Sequence, residues 1–172
     1  MISYELSMGF AIVGVIMMSQ SLSMVKIIEA QKGVWFIIPQ FLGFAIYITA
    51  AIAELNRTPF DLPEGESELV SGYFTEYSSM KYAMFMLAEY INIITVSGIV
   101  TTLYLGGWGG PILPPFIWFV VKLFAVVFFM IWVRATFPRF RYDQLMTFGW
   151  KVLLPASIVN ILLTAVFMTV FG

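Results

Sequence analysis

Long uncharged segments alternate with shorter polar segments along this chain. A helix that spans a bilayer needs about 20 consecutive, mostly apolar residues. Five segments have this length and hold no more than two charges each: residues 6–25, 34–54, 82–105, 112–135 and 151–171. The pattern predicts a single membrane domain, an all-α polytopic bundle of about five transmembrane spans.

The longest polar connection, residues 56–81 between predicted spans 2 and 3, is acidic. Two bases oppose five acids, for a net charge of −3, and the acids are Asp61, Glu64, Glu66, Glu68 and Glu76. One interpretation is a solvated surface loop. Aromatic residues interleave with the acids, which is unusual for disordered acidic segments, and Thr58 followed by Pro59 is typical of a helix start. We therefore expect a packed loop of short helices whose clustered carboxylates have raised pKa values and can carry protons.

The distribution of basic residues predicts the orientation of the chain in the membrane. The connections 56–81 and 138–150 lie on one side, where six bases are found: Arg57, Lys81, Arg134, Arg139, Arg141 and Lys151. The opposite side has only Lys26 and Lys32. The positive-inside rule places the two large connections in the cytoplasm. A bacterial plasma membrane is the first interpretation, and the mitochondrial inner membrane is the alternative.

Composition excludes several classes of function. The chain has 60% apolar residues, only 11% charged residues and a net charge of −1, so nothing indicates a nucleic-acid partner. It has no cysteine and no histidine. Thiolate-held iron–sulfur clusters, histidine-ligated haem and the usual zinc sites are therefore excluded, and no metal site is predicted. Any redox centres nearby must belong to partner subunits.

Two charges lie well inside predicted spans, Glu89 and Lys122. Ionisable groups at such depth usually face a protein interior and mark a proton or ion path. The simpler alternatives are a buried structural hydrogen bond for Glu89 and snorkelling to the interface for Lys122. Together with Glu5 and Glu54, Glu89 predicts a line of carboxylates from three helices that leads from the acidic loop into the membrane.

Three stretches carry a family resemblance. Residues 53–73 (AELNRTPFDLPEGESELVSGY), 88–90 (AEY) and 134–145 (RATFPRFRYDQL) resemble, in order and spacing, the NADH dehydrogenase subunit 1 family, which includes the bacterial counterparts of that subunit. Members of that family are longer, so we expect this chain to correspond to their C-terminal part, without the N-terminal half, as a fragment or the product of a split gene.

The resemblance implies a membrane-anchor subunit of the proton-translocating NADH:quinone oxidoreductase, respiratory complex I, with no catalysis by this chain alone. It implies a quinone as substrate, with flavin and iron–sulfur clusters on partner subunits of the peripheral arm. Other expected partners are the quinone-site subunits, small membrane subunits and antiporter-like subunits. The implied proton path contains Glu5, Glu54, Glu89, Asp61, Glu64, Glu66 and Glu68. The implied quinone-chamber and junction residues are Arg57, Phe60, Glu76 and Arg134.

Three other functions fit the sequence less well. The anchor subunit of a membrane-bound energy-converting hydrogenase is similar, but it lacks the full Asn-Arg-x-Pro-Phe-Asp run found at residues 56–61. A secondary transporter predicts inverted repeats, which are not evident. A purely structural scaffold is not expected to bury Glu89 or to concentrate acids in one loop.

Overall fold

The computed structural model describes residues 2–60, 76–110 and 114–171, and the regular structure within those ranges is helical. The helices are α1 Ile2–Ser19, α2 Met24–Ala30, α3 Phe41–Glu54, α4 Met80–Tyr104, α5 Pro115–Thr136, α6 Tyr142–Phe148 and α7 Leu154–Phe171. A π-helical turn, Gly149–Leu153, joins α6 to α7 without a break. Four stretches are long and apolar enough to cross a bilayer: Ile2–Ser19, Met80–Tyr104, Pro115–Thr136 and Tyr142–Val170. With the shorter apolar helix α3, they confirm the predicted all-α membrane bundle.

Helix α3 is shorter than the second predicted span, residues 34–54. Pro39 has no amide hydrogen and disfavours helical geometry at the residue before it, so the chain passes through turns and α3 begins only at Phe41. The 14 residues of α3 give a length of about 21 Å, whereas the hydrocarbon core is about 30 Å thick. The turns before α3 are hydrogen-bonded instead: the amide of Ile37 donates to the carbonyl of Tyr104 at 3.0 Å.

The ends of the first and last predicted spans also differ from the observed helices. Helix α1 begins at Ile2 and ends at Ser19, because Gln20 adopts the left-handed conformation (φ 52°) that terminates helices. The connection predicted over 138–150 is helical from Tyr142 onward, where α6 begins. The membrane boundaries of the spans themselves stay predictions.

The long helices form two groups. Helix α1 packs against α3 and α7, while α4 pairs mainly with α5. The buried residues of α4 lie near its C-terminal end, between Ser97 and Tyr104. Tyr104 is fully buried there, donates from its hydroxyl to the carbonyl of Ala11 at 3.3 Å, and packs edge-on against Phe44. The two groups are therefore tied at that end, and two cavities separate them nearer the acidic loop.

Lys122 neither snorkels to the surface nor contacts a carboxylate among the described residues. It is 5% exposed, and its ammonium donates to the carbonyls of Leu105, Gly107 and Gly109 at 2.6, 3.2 and 2.7 Å. Its nitrogen also lies 4.4 Å from the ring centroid of Trp35. The last carbonyls of a helix lack partners within it and favour a cation. Lys122 therefore caps α4 and the glycine turn after it, an arrangement that neither sequence interpretation included.

The start of the acidic connection is a turn in the part that the structure describes. The amide of Phe60 donates to the carbonyl of Arg57 at 2.8 Å, and Thr58 and Pro59 lie in the turn between them. The helix start expected at Thr58 is thus not found at Pro59. The predicted site residues Asp61, Glu64, Glu66 and Glu68 lie outside the described residues.

Candidate functional site

A cavity of about 280 Å³ lies between α3, α4 and α5, on the side of the acidic connection. Most of its wall is aliphatic and comes from all three helices. Its polar lining groups are Arg57, Thr58, Tyr90 and Arg134, and its other lining residues are Ile52, Leu55, Ile93, Ile94, Val127, Met130 and Ile131. An apolar cavity with a few convergent polar groups is the usual form of a small-molecule site.

Arg57 reaches this cavity because of the way α3 ends. Leu55 caps the helix, and Asn56 then takes a left-handed conformation (φ 50°), which asparagine tolerates better than most residues. The turn leaves Arg57 buried at 7% exposure between the end of α3 and helix α4. Its Nη2 donates a hydrogen bond to Oε2 of Glu89 and forms an ion pair with that carboxylate. The pair joins the two helix groups on the side of the acidic connection.

The Arg57–Glu89 pair is shielded from solvent. The side chains are only 9% and 19% exposed. Removing one partner of a buried pair typically costs about 3–5 kcal/mol, because the remaining charge is left without compensation. Arg57 thus both pairs with Glu89 and lines the cavity.

Glu54 ends helix α3 three residues before Arg57 and is half-buried. Its Oε2 atom is buried and has no hydrogen-bond partner in the described part of the chain. A buried polar atom without a partner is costly, so this oxygen marks an open hydrogen-bonding position.

The structure does not bring all the predicted carboxylates together. Glu5 lies on α1 with its side chain exposed and forms no ion pair or hydrogen bond within the described ranges. Its neighbour Tyr4 is buried instead and donates from its hydroxyl to the carbonyl of Leu145 at 3.1 Å. Glu76 is also exposed. The described contacts join Glu89 to Arg57, and the continuous line of carboxylates stays a prediction.

Phe60, predicted as a chamber residue, forms the centre of an aromatic cluster. Its ring centroid lies 5.9 Å from that of Tyr4, 5.7 Å from Phe140 and 6.4 Å from Phe148. The cluster is reinforced by the amide of Phe140, which donates to the carbonyl of Pro59 at 3.0 Å. A second cavity, of about 240 Å³, lies beside the cluster between α3 and α5. Phe60 thus fixes the start of the acidic connection against α1 and α6.

Arg134 lies in the last turn of α5 and in the wall of the first cavity, and its assignment to a quinone chamber stays a prediction. The sequence reasoning missed Tyr90 and Met130, which line the same cavity. Tyr90 follows Glu89 directly, which is the one signal that could have indicated it. Met130 sits in a uniformly apolar helix and gives no signal. The described residues contain no cluster of ligands for a metal ion.

Comparison with known proteins finds relatives along nearly the whole chain. Residues 1–165 match the NADH dehydrogenase family. The chain is 55% identical over 171 residues to a NADH-quinone oxidoreductase subunit, the one designated H, of Geobacter metallireducens, covering 98% of this chain and 49% of that protein. It is 56% identical to the corresponding protein of Geobacter sulfurreducens (96% and 48% covered) and 53% identical to that of Brevibacillus brevis (96% and 51% covered). The chain spans about half the length of the curated relatives it matches.

Proposed function

The chain belongs to the NADH dehydrogenase family, and on that premise we propose that it lines the quinone chamber of a proton-translocating NADH:quinone oxidoreductase. The relatives at 53–56% identity are named as subunits of NADH-quinone oxidoreductase. These names favour a quinone reductase over a hydrogenase anchor or a secondary transporter. The relatives are bacterial, which supports the bacterial plasma membrane as the location.

The shape and chemistry of the first cavity support a quinone as the ligand. Its aliphatic wall, from residues such as Ile52 and Met130, suits an aromatic ring and an isoprenoid tail. At its polar end Arg57 and Arg134 offer cationic hydrogen-bond donors to the quinone oxygens. Reduction builds negative charge on those oxygens until protons arrive, and cationic donors at this position would stabilise such charge.

The proposal for energy coupling rests on the position of Arg57, which pairs with Glu89 and also lines the cavity. Negative charge on a quinone in the cavity would attract Arg57 and weaken its pairing with Glu89. Glu89 would then be left as a poorly exposed charge without its partner, which is unfavourable. The change would pass along further carboxylates: Glu54, Glu5, Asp61, Glu64, Glu66 and Glu68. Two electrons reach the quinone from flavin and iron–sulfur clusters on the peripheral-arm partners, and two protons complete the quinol.

The assembled complex, with the full-length subunit, is the system for the test. Substitution Arg134→Met removes a cationic donor from the cavity wall but keeps a long apolar side chain. A hydrogen bond from a charged group contributes about 1.5–3 kcal/mol, so we expect the KM for quinone to rise by about tenfold to a hundredfold. Lys151→Met, at an exposed base on the π-helical turn, is the control. An unchanged KM in the Arg134 variant, with normal assembly, would refute the assignment. Co-purification with hydrogenase subunits would select the alternative.

A further inference from the structure

A second polar site lies at the opposite end of α3 from Arg57, far from the acidic connection. Gln40, Asn160 and Thr164 form a buried group, here called the amide cluster, with exposures of 2%, 4% and 5%. Nε2 of Gln40 donates to Oγ1 of Thr164 at 2.6 Å, and Nδ2 of Asn160 donates to Oε1 of Gln40 at 3.0 Å. No charged residue takes part, and none of the functions proposed above uses these side chains.

Two glycines of the neighbouring helices leave space for the side chains of the amide cluster. A Cβ atom added at Gly43 would lie 2.7 Å from Oε1 of Gln40, and one at Gly14 would lie 3.0 Å from the same atom. Glycine at both positions therefore leaves the space that the two amides fill. Nε2 of Gln40 also approaches the carbonyl of Gly14 at 3.4 Å. The cluster thus ties the start of α3 to α1 and α7.

The amide cluster lies inside the bundle and not at its rim. Gly14 precedes the end of α1 by five residues, and Thr164 precedes the end of α7 by seven. At 1.5 Å per residue the cluster is about 8–10 Å below those helix ends. The turns before α3 reach the same depth, since Gln40 is their last residue. Irregular backbone at membrane depth is tolerated where it is buried in protein or lines a water-filled cavity.

The hydrogen-bonding capacity of Asn160 is mostly unused. A carboxamide offers two donors and two acceptor positions. Within the described ranges Asn160 uses one side-chain donor, towards Gln40, and neither acceptor position. A residue so deeply buried normally has its polar atoms satisfied, and hydrocarbon cannot satisfy them. A cavity of about 260 Å³ adjoins the cluster, and its other walls are Met18, Pro39, Leu42, Leu163 and Phe167.

We propose that this cavity holds water. The water would enter the bundle from the side opposite the acidic connection and reach the level of Asn160. The volume exceeds the roughly 30 Å³ that one water occupies in the liquid, and the cluster supplies the two to four polar partners that a bound water needs. A lipid acyl chain is the competing occupant, because Leu163 and Phe167 present apolar surface at the mouth. An acyl chain would leave the free amide positions of Asn160 unsatisfied.

Cysteine accessibility distinguishes water from lipid, and it does not depend on quinone chemistry. The 172 residues of this sequence contain no native cysteine, so each introduced thiol is the only one within them. Leu163→Cys places a thiol at the mouth of the cavity, and Leu162→Cys places one at almost the same depth on α7 outside the cavity. The two native side chains are equally exposed, so a difference between their labelling rates reports on the cavity. Complex-bearing membranes are treated with 2-aminoethyl methanethiosulfonate, and the mass gain of the purified subunit is followed over time.

A thiol reacts as the thiolate, which forms in water and is suppressed in apolar surroundings. We expect Leu163→Cys to react about tenfold or more faster than Leu162→Cys. Thr164→Cys, within the cluster, should behave like Leu163→Cys. Asn160→Leu added to Leu163→Cys should lower the rate to that of the control. Equal, slow labelling of Leu162→Cys, Leu163→Cys and Thr164→Cys would overturn the proposal and identify the cavity as dry or lipid-filled. This outcome can be read from the single variants even if the double variant with Asn160→Leu fails to assemble.

Discussion

Replacing Glu89 with glutamine tests the dual role of Arg57, because the change removes one charge and keeps the shape of the side chain. In the wild-type structure Arg57 pairs with Glu89 and lines the cavity. The proposal implies that Glu89 and an anionic ligand compete for this guanidinium. Two unit charges about 4 Å apart interact by about 4 kcal/mol at an effective dielectric constant near 20. The pair is 9% and 19% exposed, so solvent screens little of this interaction.

The expected effect of Glu89→Gln is tighter binding of anionic ligands in the cavity. If about one third of an interaction of this size becomes available to a ligand, the affinity of the ligand rises about tenfold. Arg57→Met must act with the opposite sign and weaken the same ligand. The prediction therefore consists of two shifts in opposite directions, which a general loss of stability cannot produce.

The assay uses membrane vesicles that contain the assembled complex. Inhibition of quinone reduction by an anionic quinone analogue gives the binding constant, and a pH-sensitive dye reports the protons translocated per NADH oxidised. Glu29→Gln, at an exposed acid of the short helix α2, is the matched control. Glu89→Gln should lower the inhibition constant and reduce translocation. Inhibition and translocation equal to those of the control would refute the role of the pair.

Three further substitutions test the packing that holds the site. Lys122→Met leaves three carbonyls without their buried cation. Because a hydrogen bond involving a charged group contributes about 1.5–3 kcal/mol, the subunit should melt at a lower temperature in a thermal scan of the purified complex. Gly43→Ala should destabilise the subunit by about 1–3 kcal/mol, because the added methyl group clashes with the amide cluster. Gly98→Ala is the control: a Cβ there meets open space, so the change should be neutral or stabilising in the same scan. Phe60→Ala should lower the stability of the fold by about 3–5 kcal/mol, because it removes the central ring of the aromatic cluster. Proteolysis of the connection after residue 60 should then be faster. An unchanged cleavage rate would contradict the packing described for Phe60.

The helices were largely predictable from sequence, because bilayer thickness imposes a length that hydropathy reveals directly. Helix α3 departs from its prediction, as do the ends of the first and last spans. Its predicted segment is uniformly apolar up to Glu54, but Pro39 and the hydrogen bond from Ile37 to Tyr104 keep the first part in turns. Hydropathy reports where a chain is buried and not which backbone geometry it has there.

The site was predictable in its charged residues and not in its apolar ones. Glu89 was identifiable in advance because a charge in an apolar segment needs a partner, and Arg57 was identifiable through the family resemblance. Met130 and Tyr90 become cavity residues only through the packing of α4 against α5. Lys122 shows the limit of charge as a signal, since its partners are backbone carbonyls that every sequence contains.

The central claim is that a quinone occupies the cavity between α3, α4 and α5, and photoaffinity labelling measures this most directly. Membranes that contain the assembled complex are illuminated with an azido-quinone, and the labelled residues of the subunit are mapped by mass spectrometry. We expect labels on the cavity wall between Tyr90 and Arg134, for example at Met130, which excess natural quinone abolishes. Competable labelling confined to residues outside α3, α4 and α5 would contradict the claim.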